Sequence, residues 1–175
     1  MKKIKIDVGM CTGCGQCALT CAFRNTGVFD LSQSNIKVLQ WEDICLSVTL
    51  VCQQCQDAPC ISACPSEAIG FSPDTGAILI DLDLCTQCQN CVEECRYEVI
   101  QVTPAGDPMT CDLCGGDPKC VLACYPQALS FEEVPDEEWE PFKPYAKVLV
   151  DRANGRLVSP PNELADEGIK PRRPA

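Results

Sequence analysis

The stretch CTGCGQCALTC places four thiols, Cys11, Cys14, Cys17 and Cys21, at the spacing C-x2-C-x2-C-x3-C. Three thiolates two residues apart wrap a loop around one object and turn backbone N–H groups inward. A cubane iron–sulfur cluster takes four thiolates at four corners. The fourth cysteine, set off by three residues, is expected at the start of a helix that points away from the first three, where it reaches a neighbouring cluster.

The arrangement recurs. The chain has 175 residues and 17 cysteines, and sixteen of these fall into four groups of four. After the first come VCQQCQDAPCISACP with Cys52, Cys55, Cys60 and Cys64, and LCTQCQNCVEECR with Cys85, Cys88, Cys91 and Cys95. The last is TCDLCGGDPKCVLACYP with Cys111, Cys114, Cys120 and Cys124. Every group ends in C-x3-C, and three of them run on into a short apolar stretch: PSEAIGF, RYEVIQV and YPQALSF. The repeat unit is a metal-binding loop, one or two turns of helix, then a strand. Structural zinc prefers two C-x2-C hairpins around one tetrahedral ion, and three cysteines in close succession do not suit it. Tight C-x2-C spacing equally disfavours a disulfide framework. Cys45 alone stands outside the groups, in an apolar strand pattern, and reads as a buried structural thiol.

Composition narrows the function. Formal net charge is -11 and no basic stretch suits nucleic acid. The absence of histidine excludes His-based triads, Rieske centres and haem ligation through histidine. There is no phosphate-binding loop, nucleotide fingerprint or activated nucleophile, so no residue is assigned a catalytic role. The opening MKKIKIDVGM lacks the apolar core of a secretory signal, and no run reaches the length of a membrane span. A reducing cytoplasm is therefore the expected location.

The intervening segments supply the scaffold. Residues 36–51 read as two strands rich in β-branched residues, and DTG at 74–76 as a turn before the strand AILID. Short helices are expected over ALTCAFR, CISACPSEAI, NCVEECRYEV and CVLACYPQAL. Trp41 reads as core or interface. Thr12, Gly13 and Gly15 allow a tight first loop, and their small size lets N–H groups approach sulfur. Beyond Cys124 the chain changes character. FEEVPDEEWEPFKPYAKV is acidic and proline-rich, YAKVLVDRANGRLVSPP has a hairpin signal at NG, and GIKPRRPA is basic. This reads as an arm that wraps a partner, anchored by Trp139, Phe142 and Tyr145.

Residues 1–131, through all four cysteine groups, resemble the four-cluster ferredoxin-type electron-transfer subunits of molybdenum and tungsten oxidoreductases. The short spacer between Cys114 and Cys120 resembles the compact subunits of the tungsten aldehyde oxidoreductase and class II benzoyl-coenzyme A reductase type. Proline, which commonly follows the last cysteine of each group in that family, does so here only at Pro65. Ala22 and Arg96 replace it, and Pro126 comes one residue late. The resemblance implies four [4Fe–4S] clusters, or three with one site empty, with the first group paired to the fourth and the second to the third. One cluster would take Cys11, Cys14, Cys17 and Cys124, and another Cys111, Cys114, Cys120 and Cys21. A third would take Cys85, Cys88, Cys91 and Cys64, and the last Cys52, Cys55, Cys60 and Cys95. The implied fold is α+β, two nested bacterial-ferredoxin-like modules with an extended arm. The outer module covers 1–35 and 105–131, the inner one 36–104, and the arm 132–175. The implied function is non-catalytic: relay of single electrons between a large tungsten- or molybdenum-pterin subunit and an external donor or acceptor. A free-standing polyferredoxin, an iron–sulfur scaffold and a subunit of a dimethyl sulfoxide reductase-like complex are the alternatives.

Overall fold

The computed structural model describes residues 1–41 and 46–135. The expectations for Cys45, the side chain of Trp41, the hairpin at NG and the aromatic anchors of the arm lie outside the described residues. In chain order the elements are β1 (Lys2–Ile6), α1 (Gln16–Thr26), a 3₁₀ turn (Leu31–Gln33), β2 (Lys37–Trp41) and β3 (Leu46–Leu50). Then follow α2 (Pro59–Ser62), β4 (Ile69–Phe71), β5 (Ile78–Ile80), α3 (Asn90–Glu93), β6 (Gln101–Val102) and β7 (Pro108–Met109). A second 3₁₀ turn (Leu113–Gly116), α4 (Lys119–Leu122) and β8 (Leu129–Glu133) complete the order. The strands form two-stranded antiparallel sheets: β1 with β8, β2 with β3, β4 with β5 and β6 with β7.

The two strands expected within 36–51 and the strand after DTG are present. The helices need a correction. Only the first group carries a helix of several turns. In the others a single helical turn holds the third cysteine, the residue before it and the two residues after it, with Ala63, Glu94 or Ala123 as the C-cap. Cys60, Cys91 and Cys120 lie within α2, α3 and α4, while Cys64, Cys95 and Cys124 lie just beyond their ends. The fourth cysteine thus closes the turn and does not open a helix. The x3 spacing spans about one turn, so a helix only one turn long carries the third cysteine and ends just before the fourth, whereas in the first group both Cys17 and Cys21 lie inside α1.

After each of these helices a further turn begins at the fourth cysteine and ends on a left-handed residue three positions later. Glu67, Glu98 and Gln127 have φ of 53°, 50° and 56°. The N–H of each donates to the carbonyl of the fourth cysteine, Cys64, Cys95 or Cys124, at 3.3, 3.0 and 2.9 Å. The chain then leaves as β4, toward β6, or as β8. In the first group the helix continues through Ala22, which is fully buried in α1. Proline there would remove a helical N–H and clash with the preceding turn, which accounts for the departure from the family pattern. Helix α1 ends only at Gly27, whose φ of 75° lets its N–H reach the Phe23 carbonyl at 2.7 Å.

On β1 Ile4 and Ile6 are buried on one face, opposite Phe131 and Leu129 of β8, and Lys3 between Lys2 and Ile4 is buried as well. The principal core joins Ile4, Ile6, Ile36, Val51, Leu113 and Leu129 to the thiols of Cys17, Cys21, Cys111 and Cys120. Helix α1 packs on α4, and α2 on α3. Hairpin β6–β7 lies across residue 104, at the expected boundary between inner and outer modules. Replacing Ile4 by alanine should destabilise the cluster-loaded chain by about 2–5 kcal/mol. Anaerobic urea unfolding measures this, and a loss under about 0.5 kcal/mol would mean that β1 is not part of the closing core.

Candidate metal centres

The binding loops share one backbone device. In each C-x2-C the residue before the second cysteine is left-handed: Gly13 at φ 69°, Gln54 at 50°, Gln87 at 56° and Leu113 at 55°. Left-handed residues set among right-handed ones point successive N–H groups into a concavity that suits sulfur and other anions. Only the first loop uses glycine at this point, and there a second demand applies. A Cβ on Gly13 would stand 2.2 Å from Gln40 Nε2 and 2.4 Å from Ser47 Oγ, because hairpin β2–β3 lies directly on the loop. Gln40 Nε2 donates to the Gly13 carbonyl at 2.8 Å.

Side chains brace the loops against one another. Gln54, 1% exposed, accepts the Ile78 N–H at 2.8 Å and donates to the Cys111 carbonyl at 2.8 Å. It thereby joins the second loop, β5 and the fourth loop. The Asp112 carboxylate accepts the Cys114 N–H at 2.9 Å. Arg24 of α1 forms an ion pair with Asp112 at 2.8 Å, linking the first group to the fourth. Arg96, at the position where the family places proline, pairs with Asp57 and links the third group to the second. Both pairs are partly exposed, so they orient more than they stabilise.

The sixteen grouped cysteines are free thiols. Cys11, Cys14, Cys17 and Cys124 line one cavity, with Val38, Thr49, Pro126 and Ala128. Cys120 lies in the field of Cys111, Cys21 and Cys114, and Cys21 in that of Cys114. Cys60 is influenced by Cys95 and Cys55, and Cys52 by Cys111, Cys55 and Cys95. Cys91 lies in the field of Cys85 and Cys88. Cys64 packs in the same apolar cluster as Cys91, beside Cys60 and Cys95. Cys14 and Cys88, the middle thiols of their loops, are exposed.

Burial pushes most of these thiols up. Cys60 rises to about 11, through burial and then the neighbouring Cys95 and Cys55. Cys111 rises to about 12, again first through burial. Cys52 and Cys120 are raised well above the ordinary thiol value by burial, and Cys17, Cys21 and Cys91 are raised as well. Cys64 goes the other way: burial acts upward, but the Ser66 hydroxyl and the N–H groups of Ala68, Ser66 and Ile69 outweigh it. Crowded buried thiols cannot ionise together without positive charge among them, so the donor set fits a multi-iron cluster. Among the described residues no group of three or more Cys, Asp or Glu side chains is arranged to hold a lone metal ion. The bracing by Gln54, the two ion pairs and the contact of Thr49 with Cys11 and Cys17 were not legible from cysteine spacing; the only signal was polar residues within otherwise apolar stretches.

Residues 45–134, just over half of the chain, match the family described as "4Fe-4S dicluster domain". Over 124 residues the chain is 37% identical to the aliphatic sulfonate oxidoreductase, polyferredoxin-like subunit, of Pyrococcus furiosus, covering 70% of each protein. It is 28% identical over 146 residues to the thiosulfate reductase electron transfer subunit PhsB of Salmonella typhi, covering 75% of this chain and 76% of that protein. Among solved structures it aligns with one of the active site complex BamBC of benzoyl coenzyme A reductase, at TM-score 0.46 and 23% identity, over 95% of this chain and 96% of the other. No helix among the described residues is long and apolar enough to cross a membrane.

Metal capture by protonated thiols releases protons. With Cys60, Cys111 and their neighbours raised, cluster assembly on the metal-free chain should speed up as pH rises from about 7 to about 9. The growth of visible absorbance during anaerobic reconstitution measures this. A rate independent of pH would mean that thiol ionisation does not control capture.

Proposed function

This chain belongs to the 4Fe-4S dicluster family and is an iron–sulfur electron-transfer subunit, and we propose that it holds four [4Fe–4S] clusters on two nested pairs of cysteine groups. In this reading the first and fourth groups share two clusters, and the second and third share the other two, with the ligand sets given above. The observation that carries it is the cavity lined jointly by Cys11, Cys14, Cys17 and Cys124, three thiols from one end of the described chain and one from the other. The packing of α1 on α4 and α2 on α3 supports the same pairing, as do the Arg24–Asp112 and Arg96–Asp57 ion pairs.

When bound, the clusters supply one-electron chemistry. The protein's part is to hold the thiolates, aim N–H groups at sulfur and limit water. The electron path runs between an external donor or acceptor and a separate catalytic subunit with a tungsten or molybdenum pterin. Two relatives bear names of oxidoreductase subunits, which supports a fixed partner over a free carrier. So does the surface. Phe29, Leu122 and Tyr125 are 69%, 73% and 95% exposed, and Phe29 stacks on the exposed Phe23 at 4.7 Å between ring centroids. Exposed aromatic and aliphatic groups of this size suit a docked partner. With a formal charge of -11 the chain calls for a basic surface opposite it.

Anaerobically prepared chain should contain about sixteen iron and sixteen sulfide, four of each per cubane. Cys124→Ser should perturb the cluster held by Cys11, Cys14 and Cys17 and spare the one held by Cys111, Cys114 and Cys120; coordinates with four consecutive cysteines on one cluster would refute the pairing. Phe29→Glu should weaken co-purification with the large subunit at unchanged iron content. Elution of the native chain alone, under conditions that preserve complexes, would favour the diffusible carrier.

A further inference from the structure

The hydroxyl of Thr49 occupies a place where a methyl group would fit. Thr49 is 2% exposed on β3, opposite Val38 of β2, and both residues line the cavity of the first loop. Its neighbours Val48 and Leu50 turn to the other face and are buried with Tyr97 and Val99. The hairpin is thus enclosed on both sides, and valine would fill position 49 with no polar atom to desolvate. The hydroxyl instead stands 3.7 Å from Cys11 Sγ and 3.8 Å from Cys17 Sγ, within hydrogen-bond reach of two thiols of one loop.

We propose that Thr49 is a potential-setting residue for the cluster held by Cys11 and Cys17, donating its hydroxyl proton to their sulfurs and favouring the reduced state. The inference rests on the reading that these two cysteines ligate one cluster. The direction follows from the chemistry of the atoms. A free thiol can donate or accept, but a metal-bound thiolate has no proton, so in the loaded protein the hydroxyl must be the donor. Each added electron makes the sulfurs more negative and strengthens the bond; no proton changes owner. Burial keeps competing water away from the hydroxyl and magnifies the effect. Hydrogen bonds to cluster sulfurs are among the levers that set cluster potentials. Other ligand sulfurs have donors that are nearer in the chain: Asn25 Nδ2 lies 3.8 Å from Cys21 Sγ, and Ser66 Oγ 3.6 Å from Cys64 Sγ. Thr49 differs in coming from a separate hairpin, more than thirty residues away, so the hairpin couples the first cluster to the inner part of the chain.

The test is an EPR-monitored redox titration of the full-length, cluster-loaded protein, with iron analysis of every variant. Thr49→Val should lower the midpoint of one cluster so that its reduced-to-oxidised ratio at fixed potential falls about tenfold, equal to about 59 mV for one electron. Thr49→Ser should restore the native midpoint, and the other midpoints should stay. An unchanged set of midpoints at full iron content in Thr49→Val, or an equal shift in Thr49→Ser, overturns the proposal. If Thr49→Val loses iron, Thr49→Ala, which frees space, takes its place; loss from both makes the role structural and overturns it. Cys17→Ser separates the two readings: full iron content there overturns the ligand assignment and this inference with it, whereas loss of iron confines a negative result to Thr49.

Discussion

Every element depends on the gathering of thiols that the chain alone cannot hold ionised. Among the described residues the sheets have two strands each, and three of the four α-helices are single turns of four residues. Isolated hairpins and single helical turns are marginal in water. What they surround is a core in which cysteine takes places that leucine or isoleucine would fill elsewhere. With clusters bound as proposed, metal–thiolate bonds between distant loops would stand in for much of the apolar burial that a domain of this size would need.

That dependence also explains the backbone. The loops place non-glycine residues, among them Gln54, Gln87 and Leu113, in the left-handed region. Such conformations cost of order 1 kcal/mol or more each and persist only where their surroundings over-determine them. Gln54 is the clearest case, since its two side-chain hydrogen bonds fix it to β5 and to the fourth loop at once. The positive φ that turns N–H groups inward is thus secured by long-range contacts.

Cysteine spacing made the four groups and the cofactor class legible, because ligand number and loop length are written in the order of residues, while β-branched runs and the DTG turn gave the strands of 36–51 and the strand after DTG. The position of the fourth cysteine relative to its helix was not legible. The same x3 spacing lies inside the long helix α1 in the first group and at the end of a single turn in the other three, so spacing alone does not decide it, and the left-handed Glu67, Glu98 and Gln127 that close the following turns are not residue types that announce it. The bracing pairs Arg24–Asp112 and Arg96–Asp57 were equally silent, since 88 and 39 residues separate their members. Thr49 was one β-branched residue among several in a strand pattern until its register against Val38 placed it over sulfur.

The antiparallel pairing of β1 with β8 has a consequence for biosynthesis. Strand β1 leaves the ribosome more than 120 residues ahead of the strand it pairs with. At typical elongation rates that is a delay on the order of ten seconds. Through that interval β1 presents an open edge, and the thiols of the first loop wait for contacts that have not yet been synthesised. In a nascent chain of this design the middle of the sequence is free to organise before its flanking strands can meet.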